Sequence, residues 1–92
     1  MLPIIWKFDA RADLSSIIKY IAKRDIGAAR RMRQRLHEAV LPVAEHPYLY
    51  RQSDRYSGCR EIVAHPNYIV VYRVEREVIS VLRVLHSRQQ YP

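Results

Sequence analysis

The stretch Tyr68-Ile69-Val70-Val71-Tyr72-Arg73-Val74, a break at Glu75-Arg76-Glu77, then Val78-Ile79-Ser80-Val81-Leu82-Arg83-Val84-Leu85 decides the fold. Both runs are β-branched or aromatic, and the residues between them suit a turn, so they predict an antiparallel hairpin. The run Tyr68–Tyr72 is apolar at both odd and even positions, as in a central strand with both faces covered. Upstream, His65-Pro66-Asn67 separates it from another short run, Arg60–Ala64. Three strands in a meander follow.

Register decides where the charges of the meander point. If Val74 pairs with Val78, then Ile69, Val71, Arg73, Ile79, Val81 and Arg83 share a face. A first turn of two or four residues adds Arg60, Ile62 and Ala64 to that face, with Arg60 opposite Arg73. A three-residue turn shifts the pairing by one and sends Arg60 to the other side. Pro66 disfavours the tight option, because it cannot adopt the positive φ of a type I′ turn.

Outward toward the N-terminus the period changes. Leu14, Ile17, Ile18 and Ile21 recur at i, i+3, i+4, i+7, an apolar stripe that predicts a helix from about Ala10 to Lys23, with Asp9 as its cap. Asp25 can cap a second helix whose inward positions are Ala29, Met32, Leu36, Val40 and Val43, with Arg30, Arg31, Arg33 and Arg35 around the rest. Pro42 ends or kinks it. So brief a connection makes the two an antiparallel hairpin. Leu2–Phe8 reads as a first strand, and Pro3 suggests a sheet edge. The sum is an α+β domain over residues 1–92, with an N-terminal strand and an α-helical hairpin packed on one face of an antiparallel β-sheet.

The 92 residues carry 16 Lys and Arg against 9 Asp and Glu, a formal net charge of +7. Such a field favours an acidic partner without saying which kind. One cysteine, Cys59, excludes an internal disulfide and fits a reducing compartment. No apolar run approaches a membrane span, and Met1–Phe8 is too short for a signal peptide, so the cytoplasm is the expected location. His37, His46, Cys59, His65 and His86 lack metal-ligand spacing, and no serine lies in a nucleophile elbow, so neither metal nor cofactor is expected. Metal-free RNA cleavage needs a general base, a general acid and cations around the phosphate. Glu61, His65, His86, Tyr91, Arg60, Arg73, Arg83 and Arg88 are of the right types. Plain protein binding through an exposed strand and an Arg-rich hairpin needs no special geometry.

Four segments together resemble the RelE/ParE toxin superfamily over essentially the whole chain. They are Ala10-Arg11-Ala12-Asp13-Leu14 with Ile17–Ala22, His46-Pro47 with Gly58–Val63, Tyr68–Val74, and Ile79–Gln89. The resemblance implies the toxin of a type II toxin–antitoxin system, wrapped by the acidic C-terminal segment of its antitoxin and reaching operator DNA only through that complex. RelE-type ribonucleases carry cations where this chain has Ile62 and Ile69, a departure that points to the ParE branch. For that branch the resemblance implies inhibition of DNA gyrase and a ParD-like antitoxin. A RelE-like ribosome-dependent mRNA interferase is the alternative, using Arg60, His65, Arg88 and Tyr91. Charge clustering puts the target-binding surface at Arg60, His65, Arg73, Arg83, His86, Arg88, Gln89 and Tyr91. The antitoxin face is expected at Leu14, Ile17, Ile18, Ile21, Arg30, Arg31, Arg33 and Arg35.

Overall fold

In the computed structural model, residues 1–88 are described; Gln89 and Tyr91 lie outside them. The chain runs β1 (Ile4–Trp6), α1 (Phe8–Ala22), α2 (Ile26–Val40), a 3-10 turn (Leu41–Ala44), β2 (Arg60–His65), β3 (Tyr68–Val74) and β4 (Ile79–His86). The strands form one sheet in the order β1-β4-β3-β2. The meander is antiparallel as expected, whereas β1 joins β4 in parallel, pairing Ile4 with Ile79 and Trp6 with Val81. The sheet is therefore mixed. Pro3 starts an edge strand, where its missing N–H costs no ladder bond, and its carbonyl accepts from the Ile79 N–H at 2.8 Å.

Helix α1 begins two residues before the expected start, and Asp9 is not its cap. The cap position is Lys7, whose side chain makes no capping bond, and whose N–H donates instead to the Val81 carbonyl at 2.9 Å. The sheet thus hands the chain directly to the helix, leaving Asp9 in the first turn, where its charge complements the helix dipole. Asp25 does cap α2, its Oδ1 accepting from the Ala28 N–H at 3.0 Å. The α-helical hydrogen bonding stops at Val40, and Pro42 is accommodated in the 3-10 turn.

Most of the periodic residues face inward. Ala29, Leu36, Val40 and Val43 are buried and Met32 is partly so; of the first stripe Leu14 is buried, with Ile17 and Ile18 packed at its margin. They meet Ile62, Ala64, Val70, Tyr72, Ile79, Val81 and Val84 on one face of the sheet. The other face carries a smaller cluster of Cys59, Ile69, Val71 and Leu85, against which Tyr56 and Leu82 pack. Strand β3 is thus covered on both sides, which explains its uninterrupted apolar run.

Two bulges set the faces. The loop between β2 and β3 has only two residues, Pro66 and Asn67, yet neither has a positive φ, so the turn is not type I′. The pairing slips instead: Val63 opposes Ile69, His65 opposes Tyr68, and Ala64 drops out of register. Arg35 Nε donates to the Ala64 carbonyl at 3.0 Å, so the displaced group keeps a partner. The slip does what a three-residue turn would do. Arg60 pairs with Tyr72 on the helix side, and Arg73 lies on the other face. A second slip at Leu82 places Val71 opposite Arg83 but Tyr72 opposite Val81. Ile79 and Val81 therefore face the helices, with Tyr72 and Val74, and do not share a face with Ile69 and Val71.

Candidate functional site

The end of the sheet where β2 turns into β3 brings several expected residues together. Tyr68 lies between His65 and His86, with ring centroids 5.9 Å and 5.6 Å away. Both imidazoles are tied to backbone. Asn67 N–H donates to His65 Nδ1 at 3.0 Å, and Arg88 N–H donates to His86 Nδ1 at 3.1 Å. An Nδ1 that accepts must be unprotonated, so each ring presents its Nε2–H outward. Burial, and secondarily the Arg35 charge, push the His65 pKa below its ordinary value. Burial likewise raises the Tyr68 phenol, with Tyr20 adding to the shift. Ser87 fastens the corner: its N–H donates to the Asn67 carbonyl at 2.8 Å and its hydroxyl to the Pro66 carbonyl at 2.9 Å. A groove of about 550 Å³ runs beside this corner, lined by Ser16, Ile17, Tyr20, Tyr68 and His86 among others.

Arg60 and Arg73 belong to the opposite end. From Arg60 to His65 is five residue steps, about 16 Å of strand. Arg60 Nη1 donates to the Tyr50 carbonyl at 2.7 Å, and its guanidinium stands 5.0 Å from the Tyr48 ring centre. Arg73 is exposed on the other face and acts electrostatically on Cys59, whose thiol is pushed up by burial and pulled partly back by that charge. The expected target-binding residues therefore divide between two sheet ends. The interferase set is divided in the same way, with Arg60 at one end and His65 and Arg88 at the other.

Arg83 is committed elsewhere. Its Nε and Nη2 donate to the two carboxylate oxygens of Asp13 at 2.7 and 3.1 Å. That bidentate bond holds the guanidinium pKa above its usual range. Asp13 Oδ2 also accepts from the Val84 N–H at 2.9 Å. Strand β1 stops at Trp6, opposite Val81, so Asp13 meets β4 where its strand partner has run out. Asp13 is a half-polar position flanking the stripe of α1, and its spacing from Leu14 and Ile17 was the available sign that it faces the sheet.

Glu61 is buried at 2% exposure, not solvent-facing as its place in a strand suggests. It accepts from Arg51 Nη2 at 3.0 Å and from the Ser53 hydroxyl at 2.7 Å. Ser53 Oγ in turn accepts from the N–H groups of Arg55 and Tyr56. The irregular segment from 51 to 58 is folded around that carboxylate.

On the expected antitoxin face, Leu14 is 5% exposed and belongs to the core, so it is not available to a partner. Ile17, Ile18 and Ile21 are half-buried, whereas Arg30, Arg31, Arg33 and Arg35 are exposed. Among the described residues the ion pairs are Arg51–Asp54, Arg51–Glu61 and Arg83–Asp13, none of them on these four arginines. No group of His, Cys, Asp and Glu among the described residues is placed to hold a metal ion, and no helix is long and apolar enough to cross a membrane.

The family described as the ParE toxin of the type II toxin–antitoxin system parDE matches residues 4–91. The chain belongs to the ParE toxin family. It is 40% identical over 90 residues to the toxin candidate Y4kP of Sinorhizobium fredii, covering 97% of this chain and 92% of that protein. With toxin RelE2 of Caulobacter vibrioides it shares 33% identity over 87 residues, 95% of this chain and 97% of the relative. The fold is that of a chain from the chromosomal ParDE system of P. aeruginosa, with a TM-score of 0.81, 24% identity and coverage of 94% and 96%. HP0894 of Helicobacter pylori superposes with a TM-score of 0.59 at 17% identity, over 97% of this chain and 98% of its own. As a ParE-family toxin, the chain has an antitoxin for a partner. Two of the four stretches that carry the resemblance, the one around Asp13 in α1 and the one around Arg83 in β4, are joined by the Asp13–Arg83 ion pair.

Proposed function

We propose that this ParE-family toxin inhibits DNA gyrase in the cytoplasm and blocks replication without cutting nucleic acid itself. A ParD-like antitoxin holds it in check through an acidic C-terminal segment and carries it to operator DNA. One observation carries the reading. Ile62 and Ile69, which stand where the ribonuclease branch has cations, are 2% and 5% exposed and lie on opposite faces of the sheet. A surface lacking those cations forgoes much of the stabilisation that a phosphoryl-transfer transition state needs, about 3 kcal/mol for each such group. The division of Arg60 from His65 and Arg88 supports the same reading.

The target-binding surface we assign to the corner of His65, Tyr68, His86 and Arg88, and with it Gln89 and Tyr91, which lie outside the described residues. Arg83 serves the fold. Purified toxin should inhibit supercoiling by gyrase and provoke DNA breaks, and replacing His86 and Arg88 together by alanine should abolish both while circular dichroism stays native. Unchanged inhibition by that double variant would sink the surface assignment. The second reading, a RelE-like mRNA interferase, is favoured by the likeness to RelE2. Cleavage of transcripts on ribosomes, with supercoiling untouched, would establish it in place of the first.

A further inference from the structure

The groove of about 550 Å³ beside the sheet corner is lined by aromatic rings from two elements. Ser16, Ile17 and Tyr20 reach it from α1, and Asn67, Tyr68 and His86 from the sheet. The Tyr68 and His86 rings stand 5.6 Å apart with their planes 76° from parallel, so a flat group can stack on one and touch the other edge to face. His86 is held in place, because the Arg88 N–H donates to its Nδ1 at 3.1 Å. Tyr20, 63% exposed, brings a third ring from the helix. Cations border these rings. Lys23 and Arg24 follow Tyr20 by three and four positions, within the last hydrogen-bonded turn of α1, which sets them beside it. Arg88 closes the other side. All three are exposed, and no ion pair of the described residues involves them. The groove's acidic residue, Asp13, is already engaged by Arg83 and the Val84 N–H.

We infer that this groove takes an unpaired base of single-stranded DNA, stacked among Tyr20, Tyr68 and His86, with the neighbouring phosphates on Lys23, Arg24 and Arg88. Every base has a π face, and aromatic side chains flanked by cations hold a single strand without reading its sequence. A duplex is the poorer fit, because its base faces are stacked inside and it offers chiefly its phosphates to the cations. An acidic peptide would reach the cations and leave the rings without a partner. The rings do not tell DNA from RNA. The choice of DNA rests on the gyrase reading proposed above, in which the toxin works beside DNA breaks, where strand ends lie unpaired.

Fluorescein-labelled oligodeoxythymidylate of about ten nucleotides, titrated with the full-length toxin, should show saturable binding by fluorescence anisotropy. Tyr20→Ala should weaken it about tenfold, whereas Tyr20→Phe, which keeps the stacking face, should stay within about twofold. Tyr20 is exposed, so neither change disturbs the core. Arg30→Ala with Arg31→Ala removes two charges from α2, outside the groove, and should cost less than Tyr20→Ala alone. The reverse order would show that charge by itself holds the strand, and would overturn the inference. So would native affinity in Tyr20→Ala, or a duplex of the same length that binds as tightly as the single strand. Displacement of the oligonucleotide by poly-L-glutamate at equal charge concentration overturns it too, as does an RNA counterpart that binds about tenfold more tightly. Supercoiling by gyrase is assayed on the same preparation of unaltered toxin. Inhibition without oligonucleotide binding refutes this inference alone, and binding without inhibition upholds the groove while refuting the gyrase reading.

Discussion

The two faces of the sheet are held by different means. The helix face is covered by two amphipathic helices whose apolar residues recur at a fixed period, and its core contains Leu36, Val40, Ile62, Val70, Tyr72, Ile79 and Val81, all at 2% exposure or less. Among the described residues, no helix covers the other face. An irregular segment covers it, and that segment is shaped by polar bonds to a single buried carboxylate, Glu61, while Cys59 and Tyr56 supply the apolar contact. Repetition builds one side and a local hydrogen-bond network builds the other. The first should resist damage as a unit, and the second should come loose without the rest.

The sharpest test of that contrast is Leu36→Ala. Leu36 is fully buried between α2 and the sheet, so truncation should cost about 2–5 kcal/mol, a transfer term plus a cavity. Denaturant unfolding should remain a single transition at a lower midpoint. If only part of the chain unfolds, the helix face is not the common core. Next comes Glu61→Ala. It leaves the Ser53 hydroxyl without its acceptor and frees Arg51, which is largely solvated already, so about 1–3 kcal/mol is expected. The distinguishing readout is limited proteolysis: cleavage should appear within residues 51–58 under native conditions, with the helical circular dichroism unchanged. Global unfolding by this substitution would erase the distinction between the faces.

The smallest expected effect is on pH dependence at the sheet corner. His65 is neutral in the fold and its pKa is lowered, chiefly by burial and then by Arg35. The unfolded chain therefore binds the proton more readily. Stability from this group is complete above the ordinary histidine range, about pH 6.5, and is lost as the pH falls through the lower folded value. Protonation also removes the acceptor that holds the Asn67 N–H. Urea midpoints should fall between about pH 7.5 and pH 5, and His65→Gln should flatten part of that slope. An unchanged slope would show that the turn does not depend on the neutral ring.

What could be read from the amino-acid order follows the same division. The stripe ending at Ile21, the inward set from Ala29 to Val43, the cap at Asp25 and the three-strand meander are all periodic or local features, and the structure keeps them. Non-local choices were not legible. The edge position of β1 follows from Pro3, but its parallel pairing with β4 does not. Nor could Asp9 reveal that a sheet hydrogen bond at Lys7 would start the helix early. The bulge at Ala64 decides on which faces Arg60 and Arg73 lie, and the one at Leu82 turns Ile79 and Val81 toward the helices. Charge clustering along the chain placed eight residues in one surface, yet strands run straight for several residues, and neighbours in sequence such as Arg60 and His65 end up at opposite ends of one. Glu61 was misleading for a related reason. A carboxylate in a strand looks solvent-bound until the loop that needs it is in place.

Asp13 also bears on what becomes of β4 beyond the end of β1. Where β1 ends, β4 would offer its main chain to any extended segment nearby, an open seam of the kind that invites pairing with another chain. A carboxylate seated on Val84 and countered by Arg83 puts charge and helix in the way. The same ion pair that ties α1 to the sheet therefore also covers main chain that would otherwise lie open along β4.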